Sequence, residues 1–509
     1  MSASNRADRS IFWLYLALLF WLPIPLGSNR AWAWSITEIW IFLLSITWLW
    51  RYAQHQVTFT PALYQARPIL YLLLIWLSYL TIQIIPLPKE WVEFLSPMAA
   101  RNHDLLAIFG PTKTDVTLSM DPSATFIYLL KSISYTLFFA LTLLLVNRKK
   151  RLKQLLYLLV ISGLFQALYG SFMSLSGMEL SFFQEKASYR SVATGTFINR
   201  NHYANYLVLS LSAGIGLLIS MLGGEKAYSA RQRIRSIITL ILSKKIRLRV
   251  YLSIMVIALV LTHSRMGNTA FFSSLIIAGG IGLLLSKHAT RGMVALFVSL
   301  IIIDIFIVGA WFGVDQVMQR IEQTVENTHV QQSVINPNNP QDMRHIEFNI
   351  ERELRDEVNA YSIDLWKDYP ITGSGAGSYY TAFSRYQGYD VGAFFDHAHN
   401  DYLEFLSESG VIGLSILGII VLISLAVAIR AQHQRHDPLM RGASFASIMA
   451  ISAMLIHSSV DFNLQIPANA LTFIVMLALA WLSATLKSKR KRQHKHHKIE
   501  RRHLQDTTP

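Results

Sequence analysis

Long apolar runs separated by short polar stretches dominate the chain. They lie near 11–27, 31–50, 68–86, 124–147, 154–175, 202–224, 250–264, 267–286, 292–313, 411–430, 442–460 and 468–486. Each approaches the ~20 residues that carry a helix across a bilayer. The pattern predicts an all-α, polytopic membrane protein with about 12 transmembrane helices. The first run lacks a small-residue cleavage site, and Pro23 and Pro25 stand where one would lie, so it reads as a retained helix. Three longer polar intervals fall at about 87–123, 176–201 and 314–410. The last opens with NTHVQQSVINPNNPQD (327–342) and then turns helical, with Ile346, Ile350, Leu354, Val358, Tyr361 and Leu365 on one stripe ahead of Pro370. The expected organisation is nine helices in 1–313, a large, partly helical loop at 314–410, three helices in 411–486 and a basic tail at 487–509.

Composition agrees. Of the residues, 52% are hydrophobic and 15% charged, against about 25% charged in soluble domains, and the mean hydropathy is +0.35. The absence of cysteine excludes disulfides and thiol ligands.

The net charge of +15 would fit a nucleic-acid partner, but its distribution argues against one. With a cytoplasmic N-terminus, RKKRLK (148–153), the loop 225–249 and the tail KSKRKRQHKHHK (487–498) all fall on the cytoplasmic side, with most of the Lys and Arg. Only five of the 31 acids join them: Asp8, Glu225, Asp437, Glu500 and Asp506. That asymmetry is the positive-inside pattern, and it puts both termini in the cytoplasm and the three long loops outside. The tail lacks the interleaved aromatics of a nucleic-acid groove and reads as an anchor on anionic lipid headgroups.

The densest polar chemistry is in FFDHAHNDYLEF (394–405) and the residues after it. Asn400 is placed to cap a helix whose first turn carries Asp401 and Glu404, and Gly410 to stop it before the next span. His399 then sits at the mouth of that helix, where an imidazole titrating near neutrality suits a general base. The plainer reading is a capped interfacial helix whose histidines only hydrogen-bond. A metal on His397, His399, Asp396 and Asp401 is the third, although a His-x-His pair diverges on a helix.

Arg265, in LTHSRMGN (261–268), lies at the outer end of a span, as a phosphate ligand or as a snorkelling interfacial arginine. Arg355 follows Glu351 by one turn and reads most simply as half of an i,i+4 ion pair. GTFINRNHYANY (195–206) sets Arg200, Asn201 and His202 at the start of another span, and His457 and Asp461 end the eleventh in HSSVDFNLQIPANA (457–470). The glycines of TGSGAGS (372–378) either cradle a phosphate on backbone N–H groups or form a turn between helices. Two arginines and a histidine facing one compartment beside lipid suit a lipid-linked diphosphate. A transporter would want ionisable groups at mid-membrane and repeated, broken helices; Glu38, Lys131 and Asp304 are the only charges placed inside spans, and no repeat is visible.

HAHNDYLEFLSESGVIGL resembles the signature of the O-antigen ligase and Wzy-type polymerase superfamily of bacterial membrane glycosyltransferases. GTFINRNHYANYL, LTHSRMGN, KDYPITGSGAGSY and HSSVDFNLQIPANA are similar to further blocks of it, so that the resemblance spans roughly 190–480. It implies a metal- and cofactor-independent glycosyltransferase of the inner membrane with a periplasmic active site. The donor would be a glycan on undecaprenyl diphosphate. The acceptor would be a sugar hydroxyl of lipid A–core in a ligase, or of a second lipid-linked repeat unit in a polymerase; protein O-oligosaccharyltransferases share the chemistry. The family's histidine followed by asparagine falls on His399, and its arginine at a span end on Arg265. A second arginine, about 15 residues before the loop proline, falls on Arg355, with Arg352 and Arg344 as alternatives. Where the family often carries a tryptophan four residues further on, this chain has Asn359. The implied roles are His399 as base, Arg265 and Arg355 as diphosphate ligands, and Asn400, Glu404, Arg200, His202 and His397 as substrate-binding or orienting groups.

Overall fold

The computed structural model describes residues 7–108, 114–186, 188–221, 243–285, 355–389, 391 and 395–486. Its long helices are α1 (Arg9–Trp21), α2 (Ala31–Ala53), α3 (Arg67–Ile84), α4 (Pro122–Leu145), α5 (Lys149–Ser176), α6 (Arg200–Ser220), α7 (Lys244–Leu261) and α8 (Arg265–Leu284), then α9 (355–368), α10 (Asp401–Gln434), α11 (Pro438–His457) and α12 (Pro467–Thr485). The fold is all-α, as expected. Eleven of the twelve expected spans fall on these helices, and nine of the helices are long and apolar enough to cross a membrane. The span at 292–313, the polar stretch at 327–342, Asp304, Arg344, Arg352 and the basic tail lie outside the described residues.

Helix starts follow local chemistry. Asp121, Asn199, Ser264, Asn400 and Asp437 each accept a hydrogen bond from a backbone N–H of the first turn that follows, which otherwise has no intrahelical partner. Pro122, Pro438 and Pro467 stand at first-turn positions, where a missing N–H costs nothing.

Helices α6, α11 and α12 form the centre: 89%, 83% and 83% of their apolar stretches are buried, against 22–33% for the peripheral α10, α3 and α2. Close approach of α6 and α11 rests on Gly216 and Gly442, since a Cβ on Gly216 would lie 2.2 Å from the Gly442 carbonyl oxygen. At one end of the bundle, Arg151 grips Asp8 through both guanidinium nitrogens at 2.6 and 2.7 Å, and Lys149 pairs with Asp437. The opposite end carries a second, smaller core, in which Val92, Ala99, Val116 and Leu118 pack with Val358, Leu365, Tyr379 and Phe383. The segment 87–121 is therefore folded against 355–398 instead of standing as a separate loop.

That small core is spliced to α10 at a break. Gly410 interrupts the helix with φ 61° and ψ −170°, dividing a polar foot (401–409) from the apolar shaft that follows. The TGSGAGS segment wraps the break. N–H groups from Gly373 to Tyr379 are all committed: to Tyr369, Ser407, Glu408 and Gly375 carbonyls, to the Gln83 side chain and to the Glu408 carboxylate. The tyrosine hydroxyl of Tyr79 on α3 closes the splice, 2.6 Å from the Thr372 carbonyl and 2.8 Å from that of Ser409. The glycines thus serve backbone packing between helices. The phosphate-cradle reading fails because the amides of 373–379 are taken and cannot bind an anion.

Candidate functional site

Beyond α11 the chain turns through 458–466 before α12, and this turn receives the foot of α10. The Asp401 carboxylate accepts hydrogen bonds from Ser458 Oγ (2.7 Å) and the Leu464 amide (3.1 Å), while the Asp401 amide donates to the Ser458 carbonyl (2.9 Å). These bonds hold the loop 395–400 over Asp461 and Phe462.

Phe462 is the hub of the site. The ring of His397 stacks on it at 4.3 Å, and those of His202 and His399 meet it edge-on at 4.5 and 4.8 Å. Beside it, the fully buried Asp461 carboxylate places Oδ1 3.4 Å from His202 Nε2 and 3.6 Å from His399 Nδ1. Both distances exceed a good hydrogen bond, so these contacts are electrostatic. Asn201 donates to Asp461 Oδ2 at 2.6 Å, and the Phe462 amide to Oδ1 at 2.9 Å. Burial alone would raise the Asp461 carboxyl; the two imidazoles it faces hold it well below the ordinary carboxylate range.

His399 itself adopts φ 51°, a left-handed conformation that a β-carbon disfavours and that clusters at functional sites. With Nδ1 turned to Asp461, the carboxylate favours the Nδ1–H tautomer and leaves Nε2 as the basic nitrogen. His397 is held differently. Its Nδ1 lies 2.7 Å from Glu404 Oε1, and Glu404 Oε2 accepts the Ala398 amide at 3.0 Å. Glu404 therefore orients His397, and Asp461 orients His399. The loop turns the two imidazoles in different directions, so each has its own carboxylate. Asn400 is the helix cap, its side chain taking the Tyr402 and Leu403 amides.

The other expected residues surround this cluster. The Arg355 charge reaches His457, which is fully buried and makes no hydrogen bond among the described residues; the Asp461 charge reaches it too. Arg265 opens α8 and Arg200 opens α6, and the first turns of these helices touch, since a Cβ on Gly267 would lie 2.6 Å from that of Ala204. Arg200 lies over the Tyr189 ring at 5.3 Å. The structure thus joins His202, His397, His399 and Glu404 in one cluster, while Arg355 acts electrostatically on His457 and Arg200 and Arg265 open two helices that touch near their starts. Asp461, Phe462 and Asn201 are the members that sequence reasoning missed or passed over. The signal was the polar run HSSVDFN at a span end, which gives no hint of its partner some sixty positions earlier.

Burial alone would lower the His397 imidazole, but Glu404 outweighs it and raises it from 6.5 to about 9. A raised group contributes stability in full below its unfolded value and loses it as the pH climbs through the folded one. Melting temperature in detergent is therefore expected to fall between pH 6.5 and about 9. The fall should be smaller in Glu404→Gln; equal slopes in the two proteins would contradict the pairing.

Residues 250–418 match the family model Wzy_C, described as O-antigen ligase. The matched stretch contains Arg265, Arg355, His397, His399, Asn400 and Glu404, and ends before Asp461. No curated protein matches the chain.

Proposed function

We propose that this chain, whose residues 250–418 match the O-antigen ligase family model, carries out a metal-independent, inverting transfer of a glycan from undecaprenyl diphosphate to a sugar hydroxyl at the outer face of the bacterial inner membrane. The observation that carries the reading is His399 set against buried Asp461 beside Phe462. His399 Nε2 takes the proton of the acceptor hydroxyl as that oxygen attacks the anomeric carbon. The bond from that carbon to the diphosphate oxygen breaks, and its electron pair leaves with the diphosphate. Asp461 stabilises the imidazolium that forms, as a carboxylate does when it orients a catalytic histidine. Arg265 and Arg355 neutralise the charge growing on the leaving diphosphate, for which one preorganised donor is worth about 3–4 kcal/mol. Attack opposite the departing group inverts the anomeric centre.

The sidedness rests on charge. The bundle end remote from His399 bears Arg148, Lys149, Lys150, Arg151 and Lys153 ahead of and along the first turn of α5, as a cytoplasmic end should. Deleting the gene and resolving surface glycan on a gel tests the function. Loss of long chains with one repeat still attached to core marks a polymerase. Loss of all attachment, with lipid-linked polymer accumulating, marks a ligase. An unchanged ladder would overturn the proposal.

A further inference from the structure

Inside the bundle, one face of α4 carries a polar set that the proposed chemistry does not use. Tyr128, Lys131 and Tyr135 are spaced i−3, i, i+4 and are all partly exposed. Lys131 Nζ donates to the Gln465 carbonyl at 3.3 Å, only three residues past Phe462, so the ammonium snorkels to the level of the histidine cluster. It sits 5.7 and 5.8 Å from the Tyr128 and Tyr135 ring centres. Glu38 on α2 acts on it electrostatically, as do Glu408, Glu404 and Asp401 at longer range. Among the described residues no carboxylate comes within ion-pairing distance of it. Two further donors nearby are unmatched: the buried Tyr135 hydroxyl and the side-chain amide of Gln465, a residue only 6% exposed.

A cation inside a span is costly and usually functional, and buried donors left without acceptors are costly too. The Lys131 N–H groups not used on Gln465, the Tyr135 O–H and the Gln465 NH2 await acceptors, and a phosphate supplies acceptors only. Helix α4 packs on the peripheral α2 and the central α12, and half of its apolar stretch is not buried, so that an isoprenoid tail can lie beside it.

We propose that Lys131, Tyr135 and Gln465 form a second lipid-phosphate site, which holds the diphosphate of a lipid-linked acceptor while Arg265 and Arg355 hold that of the donor. This rests on the glycosyltransferase reading above and deepens it, because two such sites fit an enzyme whose acceptor is itself a lipid-linked repeat unit.

The test is native mass spectrometry of the purified full chain with undecaprenyl diphosphate lacking its glycan. Wild type is expected to retain two copies, Lys131→Met one, Lys131→Arg two and Arg265→Ala one. The copy that Lys131→Met keeps also reports that this variant is folded. Two copies on Lys131→Met would overturn the proposal, as would displacement of the Lys131-dependent copy by equimolar phosphatidylglycerol, the mark of a general lipid site. A single copy on wild type, lost in Arg265→Ala alone, would sink this site and leave the proposed function standing. No copy on any variant would remove both.

Discussion

His399→Ala is expected to abolish glycan transfer while the protein still accumulates in the membrane. A positioned general base contributes about 10²–10⁴-fold, and no second imidazole can replace it. His202 shares Asp461 and Phe462 but is buried, and His397 is committed to Glu404. Asp461→Asn should give an intermediate loss, since His399 keeps its place on Phe462 but loses the charge that stabilises the imidazolium. Surface-glycan complementation, with membrane protein quantified in parallel, checks both variants. Near-normal glycan from His399→Ala would remove the base assignment.

Gly410→Ala is expected to be the most damaging change to the fold. The backbone there has φ 61° and ψ −170°, a region open essentially to glycine alone. A methyl would also lie 2.1 Å from the Ile371 carbonyl oxygen, a backbone atom pinned by its own splice to α10. Strain and overpacking together predict a loss on the order of 3 kcal/mol. Because the break sets the foot that carries Asp401, Glu404 and Glu408, activity should fall with stability. Gly418→Ala, eight residues along the same helix with nothing within 4 Å of the added methyl, is the control and should melt like wild type. Equal melting temperatures for the two variants would show that the break is not needed.

Much of this was legible in the chain and some was not, for identifiable reasons. Apolar length marks a span because the bilayer demands it, and a cap such as Ser264 or Asn400 marks a start because the first turn's amides need acceptors. Those rules are local, so helix positions and the N-cap role of Asn400 could be read directly. The pairing of His399 with Asp461 is not local. It depends on α11 and α12 returning a buried turn beneath the foot of α10, and neither residue's neighbours in the chain specify the other. For the same reason the packing of 87–121 on 355–398 was invisible, while for TGSGAGS the turn between helices was one of two readings that the run alone could not separate. A glycine run shows that the backbone must approach something closely, without showing whether that is a phosphate or the Glu408 backbone. The basic character of the chain, by contrast, misleads only when summed; placed on the helix ends, it supports the proposed orientation of the bundle.

The central claim is a single displacement in which His399 deprotonates the acceptor as the diphosphate leaves. It is tested most directly with purified protein in liposomes, an undecaprenyl-diphosphate-linked glycan of known anomeric configuration and a sugar acceptor, by NMR of the newly formed linkage. The expected linkage has the opposite anomeric configuration to the donor and is formed by wild type and not by His399→Ala. A product that retains the donor configuration would contradict it.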